Sequence, residues 1–314
     1  MTGGSGGPVF IGGLDQSGKT PMRRILEAST GVAFSRRTYL WTVLDGRYGS
    51  LDDDRALARC LGALRGHVTL RDLDVDLEEI GRRLRAGERS YTRLFELIGE
   101  SIATRAGRQR WGTQEAGVEE RADSLLERFP TARIIHMVRD PRDRHVAVRG
   151  HRWQSVGGLG ASIAAWLVNA RAAIRNTARH PDSYRIVRLE DLVLMPEETG
   201  RGVAAFIGEP DGAAVARAAA AWVVEARGGG ELPERPKPSR GIDGREAHFV
   251  DAMAGEELDA LGYPRTAVRL SRIDAVRYGA ATWPVNRARA ALTSVAGSGR
   301  AAAARMHKVR MEDP

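Results

Sequence analysis

The chain has 314 residues, 42% apolar and 28% charged, with a formal net charge of +8. This length builds one large or two modest domains with a sizeable core, and no run approaches the ~18 consecutive apolar residues that a bilayer-spanning helix needs. The basic balance suits an anionic ligand, nucleic acid or an anionic membrane surface. Arginine is nevertheless spread along the chain and aromatics are only 6%. A base-stacking nucleic-acid surface is therefore not expected, and a basic enzyme surface is.

The N-terminal "MTGGSGGPVF" lacks the basic and apolar regions of a secretory signal. Residues 1–7 are Gly/Ser-rich and expected to be disordered. "PVFIGG" is an apolar run ending in glycine and reads as a buried strand. From Pro21 the pattern turns helical, with Met22, Ile25 and Leu26 on one face. The middle, 40–130, reads as mostly helical: Tyr91, Leu94, Phe95, Ile98 and Ile102 fall at helical spacing, as do Val118, Ala122, Leu125, Leu126 and Phe129. Cys60, in "RALARCLGAL", is the single cysteine. It reads as a small core residue, allows no disulfide within the chain, and suggests a reducing, cytoplasmic setting.

"ARIIHMV" (132–138) is apolar on both faces, as in a strand inside a parallel sheet. "RDPRDRHVAVRGHRW" follows as a strand-end loop leading into a helix, and Ile163, Trp166, Leu167, Ala170 and Ile174 mark a long amphipathic helix. "YRIVRL" (184–189) is a third strand, followed by a turn and helix in "EDLVLMPEETGRGVAAFIGEP". Strands separated by helices predict an α/β fold with a central parallel sheet. A Pro/Gly-rich basic loop (228–241) and a basic, alanine-rich tail (264–314), helical or partly disordered, complete the chain.

Gly13 to Thr20, "GLDQSGKT", has the spacing G-x-x-x-x-G-K-T between a strand and a helix. Backbone N–H groups of such a turn surround an anion, Lys19 adds positive charge, and the Thr20 hydroxyl reaches a phosphate oxygen or a metal. A kinase or NTPase also needs a Mg²⁺-holding aspartate at a neighbouring strand end. The candidate is Asp140, but Arg139 stands between it and the strand. An arginine there suits a second phosphate clamp; it could equally pair with Asp143 four residues on.

The ordered segments "FIGGLDQSGKTPMR", "IIHMVRDPRDR" and "YRIVRLEDLVLMPEETGRGVAAFIGEP" resemble the sulfotransferases that use 3′-phosphoadenosine 5′-phosphosulfate (PAPS). They are most similar to the bacterial branch that resembles tyrosylprotein sulfotransferases. The resemblance covers residues 8–263. It implies a P-loop-like three-layer α/β/α sandwich with a largely helical insertion, and metal-free transfer of a sulfuryl group to a hydroxyl or amine. It further implies that Gly13, Gln16, Ser17, Gly18, Lys19 and Thr20 cradle the 5′-phosphosulfate and that Arg139 holds the 3′-phosphate. Glu190 and Asp191 would close the third strand on the adenine side, and Arg240, before Gly241, would cover the 3′-phosphate. The partner implied is a small-molecule or lipid acceptor, with no nucleic acid beyond the nucleotide donor.

The chain departs from the pattern at Gln16, where relatives carry a basic residue, and at Ala147, where they carry serine. It departs again at Gln114, in place of lysine, and at Leu189, in place of tyrosine. Each change removes a donor or a charge, worth roughly 1.5–3 kcal/mol for a bond to a charged ligand. The glutamate used as base by tyrosylprotein enzymes is Arg37 here. Glu115, next to the "WG" that relatives place near the site, is the leading candidate base. His67, read as a surface or loop residue, His136, read as a satisfied core histidine, and Asp45 are alternatives by residue type. Two rival readings stand: a non-catalytic scaffold on a degenerate sulfotransferase fold, and an ATP-dependent kinase or NTPase.

Overall fold

The computed structural model describes residues 6–36, 38, 40–149, 158–228, 241–266, 268, 270–277, 279–280, 283–289 and 291. Strand β1 (Val9–Gly12) leads into helix α1 (Lys19–Ser29), then strand β2 (Val32–Arg36) and a π-helical turn at Leu40–Leu44. Helices α2 (Asp54–Arg65), α3 (Val68–Asp72), α4 (Leu77–Ala86) and α5 (Tyr91–Arg105) follow. Strand β3 (Arg110–Gln114), a 3₁₀ turn at Val118–Glu120 and α6 (Ala122–Arg128) come next. Strand β4 (Arg133–Val138) precedes α7 (Pro141–Arg149) and α8 (Gly158–Arg179), and β5 (Tyr184–Arg188) precedes α9 (Leu189–Leu194), α10 (Pro196–Ile207), α11 (Gly212–Gly228), α12 (Gly244–Ala260) and α13 (Arg272–Arg277).

The five strands form one parallel sheet in the order β2-β3-β1-β4-β5. Parallel pairing puts all their C-terminal ends on one edge, and the strand order reverses between the neighbours β1 and β4, whose onward connections run to opposite sides, to β2 and to β5. That crevice is where open α/β sheets take ligands.

The strands sort their side chains with period two. Phe10 and Ile134 face a core built with α2, α4, α5 and α6, while Val9, Ile11, Ile135 and Met137 face one built with α1, α9, α10 and α11. Val138 joins a third cluster with α8 and α12. The result is the expected three-layer sandwich. Both apolar stripes of the middle segment are core faces, and Cys60 is fully buried, its thiol pushed up to about 12 by desolvation.

Three expectations need correction. The segment read as mostly helical is so except for β3, which pairs with β1 on one side and β2 on the other. Its sequence, RWGTQ, carries no apolar run. Gly112 is required there by close approach: a Cβ would lie 2.6 Å from the Val9 carbonyl oxygen and 2.5 Å from the Phe34 ring. The first helix begins at Lys19, capped by Gly18, rather than at Pro21. His67 is buried, not a surface residue: it accepts at the N-terminus of α3 and its Nε2 lies 2.9 Å from the Thr38 carbonyl.

Candidate functional site

The loop leaves the C-terminal end of β1 at Gly13, whose φ is +112°; a Cβ there would lie 2.2 Å from the Met137 carbonyl oxygen. Gly18, at φ +98°, and Gln16, at φ +67°, are the other left-handed positions in the loop, and that conformation is unusual for Gln16, which carries a side chain. Its carbonyl accepts a hydrogen bond from Arg139 Nη1 at 3.3 Å. Arg139 thus bridges the β4 end to the loop instead of pairing along α7. Arg144, on the first turns of α7, donates from Nε to the Asp15 carbonyl at 3.1 Å and from Nη1 to Ser162 Oγ at 3.2 Å. It is buried, and desolvation lowers its pKa to about 10.

Ser17 Oγ donates to the Leu14 carbonyl at 2.6 Å. Lys19 is 7% exposed; its Nζ donates to the Gly13 carbonyl at 2.5 Å and lies 3.7 Å from Asp15. Burial lowers its pKa, and the charges of Asp15 and Glu119 oppose that shift. Thr20 is exposed and accepts from Gln114 Nε2 at 3.3 Å, while Gln114 Oε1 accepts from Arg23 Nε. Gln114, placed by β3, therefore faces the loop. Leu189 packs against Gly18 from the start of α9.

Glu115 follows β3 and is 3% exposed; its Oε1 accepts from Thr38 Oγ1 at 2.5 Å and Thr113 Oγ1 at 3.2 Å. It lines a cavity of about 30 Å³ with Ser35, Trp41, Phe95, Trp111 and Phe129, which is room for about one water. Trp41 Nε1 is a buried donor with no partner among the described residues.

Asp140 is fully engaged. Arg142 clasps it with Nε to Oδ1 at 2.8 Å and Nη2 to Oδ2 at 2.6 Å, and Arg142 also donates to the Pro264 carbonyl. Glu190 accepts from the Asp140 amide and from Tyr263 Oη, and burial raises its pKa; Asp191 pairs with Arg188. The "EDL" segment is thus a brace between β4, β5 and the chain after α12. Asp45 pairs with Arg128, away from the loop. Arg149 donates to the Gly241 carbonyl at 2.8 Å. Arg240 and Arg37 lie outside the described residues.

Sequence reasoning brought Gly13 to Thr20, Arg139 and Gln114 to one place, and the structure does the same. It missed Glu119, in the 3₁₀ turn after β3. Glu119 is 5% exposed; its Oε2 accepts from the Gly13 amide at 3.3 Å and its Oε1 from Asn169 Nδ2 at 2.7 Å. Nothing in "GVEE" marks it, because its partners lie 106 and 50 residues away. His136 is the satisfied core histidine expected, between Asn169 and Tyr184.

Among solved structures, similar chains include a sulfotransferase from Mycobacterium avium (13% identity, 82% of this chain and 77% of that one, TM-score 0.49). Another is the sulfotransferase domain of an olefin synthase from Synechococcus PCC 7002 (15%, 84% and 98%, TM-score 0.47). No curated protein sequence matches. Residues 8–212, more than half of the chain, match the model of the sulfotransferase family. The matched region contains β1 to β5, the phosphate loop and Arg139, and the chain belongs to the sulfotransferase family.

Proposed function

We propose that the protein is a PAPS-dependent sulfotransferase that moves a sulfuryl group to a hydroxyl or amine of a small-molecule or lipid acceptor. One observation carries this reading: Lys19, Arg139 and Arg144 converge on the Gly13–Thr20 loop at the switch point of the parallel sheet. The residues fit a phosphate group. No side chain can grow from Gly13 into the turn, and three cations reach loop carbonyls from three different elements. When bound, the nucleotide supplies the sulfuryl group and departs as the 3′,5′-bisphosphate.

In this reading Lys19, with the loop amides, neutralises charge at the leaving phosphate, and Ser17, Gly18 and Thr20 orient it. Arg139, freed from the Gln16 carbonyl, holds the 3′-phosphate, and Arg240 covers it. Glu115 is the candidate base, placed one residue past the Gln114 that touches Thr20. The acceptor enters from the side of the helical segment 40–105.

Calorimetry with 3′-phosphoadenosine 5′-phosphate is the first test. Binding is expected, and a folded sample that shows none up to millimolar ligand ends this reading.

A scaffold role is the second reading. It is favoured by Ser17, Lys19 and Arg139 resting on the loop's own carbonyls, and by the glutamines at 16 and 114. It predicts no turnover on any acceptor panel; turnover abolished by Lys19→Ala excludes it. The kinase reading loses its metal ligand, since Asp140 is bound by Arg142.

A further inference from the structure

Beneath the phosphate loop runs a buried chain of polar side chains that the sulfuryl-transfer reading does not use. Its direction follows from the amide: Asn169 Nδ2 donates to Glu119 at 2.7 Å, so Asn169 Oδ1 accepts, and His136 Nε2, 2.9 Å away, carries the proton. His136 Nδ1 then accepts from Tyr184 Oη at 2.7 Å. Every donor points toward Glu119, and the far carboxylate oxygen takes the Gly13 amide. Asn176 Nδ2 holds the Glu119 backbone carbonyl at 2.8 Å. All four side chains, Glu119, Asn169, His136 and Tyr184, are 5% exposed or less.

We propose that Glu119 is a positioning residue of the phosphate loop: it holds the first loop amide from beneath and supplies the fixed counter-charge that keeps buried Lys19 an ammonium. The proposal rests on the sulfotransferase reading for what the loop holds. Gly13 is the shared point, its amide on Glu119 and its carbonyl on Lys19 Nζ. Lys19 has lost most of its water, which favours the neutral amine, and a neutral amine does not neutralise a leaving phosphate.

The charged and titratable groups around it are Asp15 in the loop, Glu119 after β3, His136 on β4 and Arg144 on α7. Arg144 works against the ammonium, and His136 is kept neutral by burial. Asp15 is the nearer anion, but it is 51% exposed and open to screening by salt. Glu119 is shielded from water and braced by two amides, so salt screens its field much less.

The chain contains only three lysines, Lys19, Lys237 and Lys308, so lysine-selective ¹³C/¹⁵N labelling gives three side-chain signals. The test follows the Lys19 titration in wild type, in Glu119→Gln, and in the double variant Glu119→Gln/Asn169→Asp. The double variant keeps every hydrogen bond and reverses only the one between the two positions: the amide introduced at position 119 accepts from Gly13 and donates to the carboxylate introduced at position 169, which still accepts from His136. It moves the charge one side chain away from the loop, so it remains informative where the single variant fails to fold.

The expected result is a Lys19 midpoint lower by about one unit in both variants, with the alkaline edge of bisphosphate-nucleotide binding moving with it. A Lys19 midpoint unmoved in the folded double variant overturns the proposal, whatever happens to the melting temperature. The titration is read without nucleotide, so a wild type that binds none sinks the sulfotransferase reading and leaves this question decided separately.

Discussion

Two loop residues carry most of what can be measured at the level of single side chains. Lys19 is the loop's own cation, and in the proposed function its hydrogen bond to the Gly13 carbonyl is exchanged for one to phosphate. A charge-assisted bond of this kind is worth roughly 1.5–3 kcal/mol. Lys19→Ala is therefore expected to weaken 3′-phosphoadenosine 5′-phosphate about 10- to 150-fold in calorimetry, and unchanged affinity would detach the loop from the ligand. Gln16 sits at φ +67°, where a Cβ costs about 1–2 kcal/mol. Branching at Cβ worsens the clash, so Gln16→Val is expected to lower stability by about the same amount again in urea unfolding. What Gln16 offers Arg139 is its carbonyl, which any residue supplies; the missing basic side chain is a separate matter from the loop's geometry.

At the level of elements, β3 decides the site. It sits between β1 and β2, and its end presents Gln114 to Thr20 and Glu115 to Thr38. Gly112→Ala places a methyl against the Val9 carbonyl and the Phe34 ring. Overpacking of this kind costs about 1–3 kcal/mol, read as a lower urea midpoint. Glu115→Gln keeps the shape and removes the base. If Glu115 accepts the acceptor's proton, kcat falls about 10²- to 10⁴-fold with donor affinity unchanged; an unaltered kcat removes it from the chemistry. The cavity beside Glu115 holds about one water. Helix α7 is tied down at its N-terminal end: Arg142 locks it to Asp140 and Pro264, and Arg144 ties it to the loop.

For the molecule as a whole, three buried histidines contribute a pH-dependent part of the stability. Burial lowers the pKa of His67, His136 and His145, the last to about 4. The unfolded chain then binds more protons than the fold below about pH 6.5. Their contribution is fully present above that value and is lost as pH falls toward 4. Urea midpoints are expected to drop steadily from pH 7.5 to pH 5; a flat profile would show that the three histidines titrate freely in the fold.

Three strands, the loop and Arg139 were legible along the chain, because each depends on neighbours in sequence: an apolar run, a glycine spacing, an arginine one residue past a strand. The sequence by itself determined the fold class and the position of the glycine-spaced loop between β1 and α1. Only tertiary structure decided the rest. β2 and β3 have no local signature, since β3 is held by pairing on both sides rather than by its own apolar content. His67 is buried by its bond to Thr38, and Asp140 is taken out of metal chemistry by Arg142 and the segment it anchors. Glu119 reaches the loop only because α8 and β4 close behind it. A carboxylate's role is set by what burial leaves next to it, and that is a property of the packed chain.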